Sequence, residues 1–272
     1  MHPVVPQPTP ITRVTKELSD TFSIHLDVSA RGFSYRPGQF NMLYLFGVGE
    51  VPISISGDRE QGQELVHTIR AVGGVTRPMR TLKTGDFVGL RGPYGTYWPM
   101  EEAHGKDLLI AAGGLGLAPL RPAIVHALTH RDRYRRVIVL YGARSPDELL
   151  FLKEVERWRG RMDTEVAVTV DHAGDDWFGH VGVVTALVPR ATFEAKDTVA
   201  FVCGPEVMIR FTVRELERRG VSREAIWVSM ERSMKCAIGH CGHCQYGSHF
   251  VCKDGPVYRF DRLAPIFHVR EV

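Results

Sequence analysis

Phe22, Ile24, Leu26 and Val28 alternate with Ser23, His25 and Asp27, the two-residue period of a half-buried strand. The turn Arg36-Pro37-Gly38-Gln39 follows, then the mostly apolar run from Phe40 to Phe46, and further on Phe87 to Leu90. Short strands punctuated by Gly and Pro at this spacing predict a small antiparallel β barrel over 1–103. Beyond residue 106 the pattern changes. Leu108–Ala112, Val137–Tyr141, Val166–Val170 and Val199–Val202 are compact apolar runs, and Asp147–Trp158 and Val207–Arg219 have a helical period. Buried strands alternating with helices predict an α/β domain over 104–228 with a doubly wound parallel sheet. From 229 to 272 no period survives, and the chain becomes rich in Cys, Gly and His, as a small C-terminal module.

Composition narrows the choice of partners. A net charge of +3 over 272 residues, with no dominant Lys/Arg run, gives no basic patch for nucleic acid. No run of 18 apolar residues exists to span a membrane. The start, Met-His-Pro-Val-Val-Pro-Gln-Pro, lacks the basic head and apolar run of a secretory signal, so a cytoplasmic location is expected. Four of the five cysteines lie between 236 and 252 and one stands apart, which is not an even disulfide framework.

The four clustered cysteines carry the chemistry. Cys236-x4-Cys241-x2-Cys244 opens with the spacing of plant-type 2Fe–2S sites, and Cys252 follows as fourth ligand, much sooner than in that fold. Gly239, Gly242 and Gly247 let the loop turn tightly and aim backbone N–H groups at sulfur. The alternative is structural zinc, because His240, His243 and His249 sit among the cysteines. Such sites more often pair two C-x2-C hooks, of which only one is present.

A second constellation starts at Leu108–Ala112, which runs into Gly113-Gly114-Leu115-Gly116-Leu117-Ala118-Pro119. A strand, a glycine turn and a helix present backbone N–H groups and a positive helix end to a pyrophosphate. Pro119 stands where the usual dinucleotide fingerprint has its third glycine, and it suits a first helical turn. Phe201-Val202-Cys203-Gly204-Pro205 ends a later strand, which puts Cys203 at the carboxyl edge of the sheet where ligands bind. Its plainer reading is a small buried apolar residue.

With Val51-Pro52-Ile53-Ser54-Ile55-Ser56, Ile69 to Thr76 and Gly92-Pro93-Tyr94-Gly95, these motifs give an order along nearly the whole chain that resembles the ferredoxin–NADP reductase superfamily. Ser229-Met230-Glu231-Arg232-Ser233-Met234-Lys235-Cys236 through Cys252-Lys253-Asp254-Gly255-Pro256 narrows it. That stretch is similar to the gamma (diaphorase) subunit of cytoplasmic NAD(P)-linked nickel–iron hydrogenases, or sulfhydrogenases. The B subunit of anaerobic sulfite reductase and the electron-transfer subunit of dihydroorotate dehydrogenase are related families. The resemblance implies FAD in the barrel, a nicotinamide nucleotide in the α/β domain and a 2Fe–2S cluster in the C-terminal module. By position, Pro52, Ile53, Ser54 and Ile55 match the strand facing the flavin ring, and Ile69, Arg70, Gly74, Val75 and Thr76 the segment around the ribityl and pyrophosphate. Gly113, Gly114, Gly116 and Pro119 match the nicotinamide-nucleotide loop, and Cys203, Gly204 and Pro205 the motif near the nicotinamide ring. Two positions depart from the superfamily: Val51 stands at the place of a phosphate-binding arginine, and Ile53 at that of a ring-stacking aromatic.

Arg144 and Ser145 follow the strand Val139–Ala143, where an adenosine 2′-phosphate would rest, and no acid occupies either position. The pair favours NADP over NAD. The expected function is electron transfer between NAD(P)(H), FAD and the cluster, in complex with iron–sulfur and hydrogenase subunits. Alternatives are the reductase subunit of a sulfite or polysulfide reductase and a non-catalytic electron-transfer adaptor. Glu231 is a candidate for proton exchange with the flavin, or else an ion-pair partner of Arg232.

Overall fold

A computed structural model describes residues 4–58 and 64–269; the outermost ends of the expected first and last domains, 1–3 and 270–272, lie outside that range. The chain divides into two compact units. One holds residues up to Tyr97 together with Met230–Val257, and the other holds Trp98–Ser229 with Tyr258–His268.

The first unit is built on six antiparallel strands: β1 (Gln7–Lys16), β2 (Thr21–Asp27), β3 (Phe40–Leu45), β4 (Gly49–Ser54), β5 (Glu64–Arg70) and β6 (Phe87–Tyr94), with the short helix α1 (Thr76–Met79) between the last two. They lie in the order β4-β3-β6-β1-β2-β5. An Ile55–His67 bridge and a 2.9 Å bond from the Ser56 N–H to the Val66 carbonyl join the two edges, closing the sheet as a barrel. Closure removes the exposed edges that an open sheet would present. Ile24, Leu26, Leu43, Ile55, Leu65, Ile69 and Leu90 fill the interior.

β2 departs from the expected half-buried strand, because Ser23 and His25 on its polar face are buried as well. The Ser23 hydroxyl lies 2.9 Å from that of Thr68, which lies 2.8 Å from the Ser56 hydroxyl, so the polar face is satisfied internally. Alternation reports which residues are polar, and a buried hydroxyl chain has the same period as a wet face.

In the second unit, β7 (Asp107–Gly113), α2 (Leu117–Thr129), β8 (Arg136–Ala143), α3 (Leu152–Arg159), β9 (Glu165–Val170), β10 (His180–Val181), β11 (Thr198–Cys203), α4 (Glu206–Arg218) and β12 (Ile226–Ser229) follow in turn. The helix expected over 147–158 starts only at Leu152. Pro146 opens a 3-10 turn, and Phe151 takes a left-handed conformation (φ 54°) that interrupts the helical run. The sheet order is β10-β9-β8-β7-β11-β12-β15, where β15 is Val257–Arg259, and neighbouring strands from β10 to β12 are parallel. The chain walks outward from β7 through β8, β9 and β10, then returns to the other side of β7 with β11. That reversal is the topological switch point, where open α/β sheets bind ligands.

Residues between β12 and β15 hold little regular structure: a two-residue ladder of β13 (Gln245–Tyr246) and β14 (His249–Phe250), then α5 (Val251–Asp254). After β15 comes α6 (Phe260–Leu263), in the α/β unit. No helix among the described residues is long and apolar enough to cross a membrane.

Candidate functional site

At the switch point the register pairs Cys203 with Ala112, so the glycine turn after β7 and the Cys203-Gly204-Pro205 turn after β11 begin side by side. They interlock backbone on backbone. A Cβ on Gly116 would lie 2.6 Å from the Cys203 carbonyl carbon and 2.8 Å from the Gly204 nitrogen. One on Gly204 would meet Gly113 at 3.1 Å. Only hydrogen fits at Gly116, and Gly204 is tightly flanked, which accounts for glycine at these two matched positions. Gly114 adds a φ of +53°. Pro119 lies in the first turn of α2, and its carbonyl accepts a 3.1 Å bond from the Trp98 indole, itself stacked on Phe201. Cys203 is buried at 2% exposure. Arg144 is exposed directly after β8, with Ser145 half-buried beside it.

On the barrel, Pro52, Ile53 and Ser54 lie in half-buried β4, and Ile55 is fully buried just beyond it. Val51 and Ile53 lean on the barrel core. Ile69 is also core, whereas Arg70 pairs with Asp20 at 2.6 Å. The Thr76 hydroxyl accepts from the N–H groups of Val72 and Gly73, which fixes the turn through Gly74 and Val75. A Cβ on Gly49 would touch Val75 at 3.1 Å, so this turn packs against the start of β4.

The cluster loop is a set of tight turns. Ala237, Gly239, Gly242 and Gly247 all have left-handed φ values. This folds backbone N–H groups onto sulfur: His240 and Cys241 donate to Cys236 Sγ at 3.3 and 3.4 Å, Gly239 to Cys252 Sγ at 3.2 Å, and Cys252 to Cys244 Sγ at 3.4 Å. Burial alone would raise the Cys236 thiol, but the N–H groups of Ile238, Cys241 and His240 outweigh it and bring its pKa down to about 6. Backbone N–H groups link Cys241 to the Cys236 sulfur and Cys252 to the Cys244 sulfur, and the Cys252 thiol also feels Cys236, so the four cysteines form one connected group. No three His, Cys, Asp or Glu side chains converge on a single ion among the described residues. A C-x4-C-x2-C loop with a fourth thiol and N–H groups aimed at sulfur fits a 2Fe–2S cluster better than structural zinc, which more often pairs two C-x2-C hooks. Cys244 and Cys252 are buried, Cys236 is intermediate and Cys241 is exposed.

Glu231 is exposed, yet desolvation by the protein atoms around its carboxyl pushes its pKa up. It forms no ion pair with Arg232, whose guanidinium lies over the Tyr246 ring at 4.7 Å.

Two family models match: an oxidoreductase NAD-binding domain at residues 109–214, and the iron–sulfur cluster binding domain of dihydroorotate dehydrogenase B at 231–264. The gamma subunit of sulfhydrogenase 1 from Pyrococcus furiosus is 38% identical over 237 residues, spanning 85% of this chain and 81% of that one. A probable dihydroorotate dehydrogenase B electron-transfer subunit from Methanocaldococcus jannaschii is 34% identical, spanning 93% and 90%. The chain belongs to this family of electron-transfer subunits. A solved NADH-dependent reduced ferredoxin–NADP oxidoreductase superposes on the subunit with a TM-score of 0.77 at 27% identity, over 97% of this chain and 94% of that one. At 18% identity and a TM-score of 0.71, a ferredoxin–NADP reductase from Neisseria gonorrhoeae shares the fold. The expected ferredoxin–NADP reductase architecture, the oxidoreductase class, and the nucleotide and iron–sulfur domains are thus all present in the subunit.

Sequence reading missed three residues that hold the cluster loop in place. Buried Arg91 on β6 and half-buried Glu50 on β4 form an ion pair whose guanidinium also reaches the carbonyls of Lys235 and Cys236. Thr96 donates its hydroxyl to the Val257 carbonyl at 2.6 Å and accepts the Val257 N–H at 3.0 Å. A charged residue inside the apolar run Phe87–Leu90 and its continuation was the available signal, because a buried arginine demands partners.

Proposed function

We propose that the subunit is an NAD(P)H-linked diaphorase that moves electrons between a nicotinamide nucleotide, FAD and a 2Fe–2S cluster, and on to or from a hydrogenase partner. The observation that carries it is the four-cysteine loop, whose backbone N–H groups point at the sulfurs of Cys236, Cys244 and Cys252. Cys236 and Cys241 would hold one iron, and Cys244 and Cys252 the other. Gly113, Gly114, Gly116 and Pro119, locked against Cys203-Gly204-Pro205, would seat the nicotinamide nucleotide at the switch point, with Arg144 and Ser145 favouring a 2′-phosphate. The strand Pro52–Ile55 and the segments Ile69–Arg70 and Gly74–Thr76 would hold FAD on the barrel.

Bound flavin supplies the exchange between hydride pairs and single electrons that a nicotinamide and an iron–sulfur centre require. The protein's part is placement: glycines let the nucleotide approach the backbone, and the cluster loop's N–H groups stabilise negative charge on sulfur. The hydrogenase partner follows the sulfhydrogenase gamma relatives, one of which is the 38% identical chain.

Anaerobic purification with iron, sulfide and flavin counts, followed by NADPH and then NADH, tests this reading. A flavin-plus-cluster spectrum bleached by a nucleotide supports it, and Arg144→Ala should then weaken NADPH more than NADH. A colourless zinc protein would overturn it, and a coloured protein that neither nucleotide reduces would leave only the electron-transfer adaptor.

A further inference from the structure

The cluster loop has almost no regular structure of its own, yet one buried cation from the barrel grips it next to its first ligand. Arg91 is 4% exposed. Its Nε and Nη2 form a fork on Glu50 at 2.6 and 2.5 Å. Nη2 also donates to the Lys235 carbonyl and Nη1 to the Cys236 carbonyl, each at 2.7 Å. The ring of Tyr94 lies 5.7 Å from the guanidinium carbon. Glu50 on β4 and Arg91 on β6 meet across β3, which lies between the two strands in the same barrel.

An isolated buried arginine is costly, and a fully paired one is tolerated when its geometry leaves no N–H unused. A packing role alone would be met by an apolar side chain of the same volume. Here the cation is instead aimed at the backbone of a cluster ligand: Glu50 bonds Nε and Nη2, and Nη1 on the far side donates to the Cys236 carbonyl. The pair is therefore a fixed dipole whose positive end faces Cys236. A cluster's potential responds to nearby charge and to hydrogen bonds around its ligands, and a positive charge favours the reduced, more negative state.

We propose that Arg91, oriented by Glu50, is a positioning residue for the 2Fe–2S cluster that both fixes the Cys236 end of the loop and raises the cluster's reduction potential. The proposal rests on the cluster assignment made above. It concerns only residues within the barrel unit, and it needs neither the nicotinamide nucleotide nor a partner subunit to be tested.

The test is a dithionite titration of the purified holoprotein, followed by electron paramagnetic resonance, with iron and sulfide counted in every sample. Glu50→Gln, which leaves the arginine uncompensated, should favour the reduced cluster at a fixed potential by about tenfold, equivalent to about 59 mV upward for a one-electron couple. Arg91→Met, which leaves the glutamate uncompensated, should move the ratio the other way by a similar factor. Arg91→Lys keeps the charge without the fork, and should stay within about threefold of the parent while binding iron less completely. Should Arg91→Met lose its cluster outright, an upward shift in Glu50→Gln still supports the proposal, and an unmoved Glu50→Gln overturns it. Shifts of the same sign in Glu50→Gln and Arg91→Met, or none with iron intact, reduce the pair to a structural tie and overturn it too. A parent protein with no 2Fe–2S signal would instead fail the cluster assignment itself, which keeps the two failures apart.

Discussion

The nucleotide turn after β7 and the cluster loop after β12 are both glycine-rich, but they are held in place by different means. The first grows out of a fully buried parallel strand and locks against the neighbouring turn by backbone contact, with Gly116 pressed on Cys203 and Gly204. Its position is set by the sheet. The second has only a two-residue ladder and a four-residue helix, and its anchors are side chains reaching from the barrel: Arg91 at one end and Thr96 at the other. A loop placed by a sheet tolerates changes in side chains and resists changes at its glycines; a loop placed by tethers needs its left-handed glycines too, and is sensitive as well to the side chains that hold it.

The largest effect belongs to the ligands. Cys252→Ser removes a buried sulfur that accepts the Gly239 N–H and pairs with Cys244, so iron should fall to background. The α/β unit has its own core, so nucleotide binding measured by calorimetry should survive. Loss of nucleotide binding along with the iron would break the comparison, because the two loops would then share one anchor.

Gly116→Ala probes the other side. A methyl placed 2.6 Å from a carbonyl carbon forces the two turns apart, at a cost of about 1–3 kcal/mol for overpacking that cannot relax. NAD(P)H binding should weaken severely while iron content stays at the parent level. Thermal unfolding titrated with nucleotide reads stability and affinity, an iron count reads the cluster, and unchanged affinity would show that the interlock does not seat the nucleotide.

The same contrast governs what was legible beforehand. The C-x4-C-x2-C spacing, the strand-to-glycine turn and the switch from period two to alternating strands and helices are local patterns, and the two architectures follow from them. Arg91 and Cys236 lie 145 residues apart in sequence, and their contact depends on how β6 meets a loop without periodicity. Gly92-Pro93-Tyr94-Gly95 belongs to the ordered motifs that carry the superfamily resemblance, yet its flanks, Arg91 and Thr96, are the two tethers of the cluster loop. The onset of α3 at Leu152 was hidden because Phe151 carries the apolar side chain a helix would want and departs only in its backbone.

Thr96→Val deletes the second tether while keeping its shape. It leaves the Val257 N–H and carbonyl without their hydroxyl partner, costing about 1–2 kcal/mol for groups that water reaches poorly. The loss should appear as faster iron release to a chelator, with nucleotide affinity unchanged. Equal release rates would mean that the Gly255 carbonyl, which accepts the Thr96 N–H at 2.6 Å, holds this end without help.

The smallest effect separates the two units by pH. His67 is fully buried in the barrel, 3.1 Å from the Asn41 amide nitrogen and 2.9 Å from the Ser54 carbonyl, and burial lowers its pKa to about 4 despite bonds that favour the charged form. The ring is therefore neutral, with Nδ1–H donating to Ser54 and Nε2 accepting from Asn41. A histidine whose folded pKa lies below its unfolded value of about 6.5 leaves stability intact above that value and erodes it as pH falls toward 4, because only the unfolded chain takes up the proton. Between pH 6.5 and 5.5 the loss is about 1 kcal/mol. Asp107, buried in the α/β unit, works in a different window. Burial opposes its ionisation, but the Arg135 guanidinium and the Glu194 N–H hold its pKa below 3.8, so its contribution is lost only as pH falls below that value. Glu231 has a raised pKa and opposes the His67 trend, so the test compares His67→Gln with the parent rather than reading one slope. In urea melts between pH 6.5 and 5.5 the parent should lose about 1 kcal/mol more than the variant. Parallel curves would show that the barrel, which carries the cluster loop, has no more acid sensitivity in that window than its neutral variant.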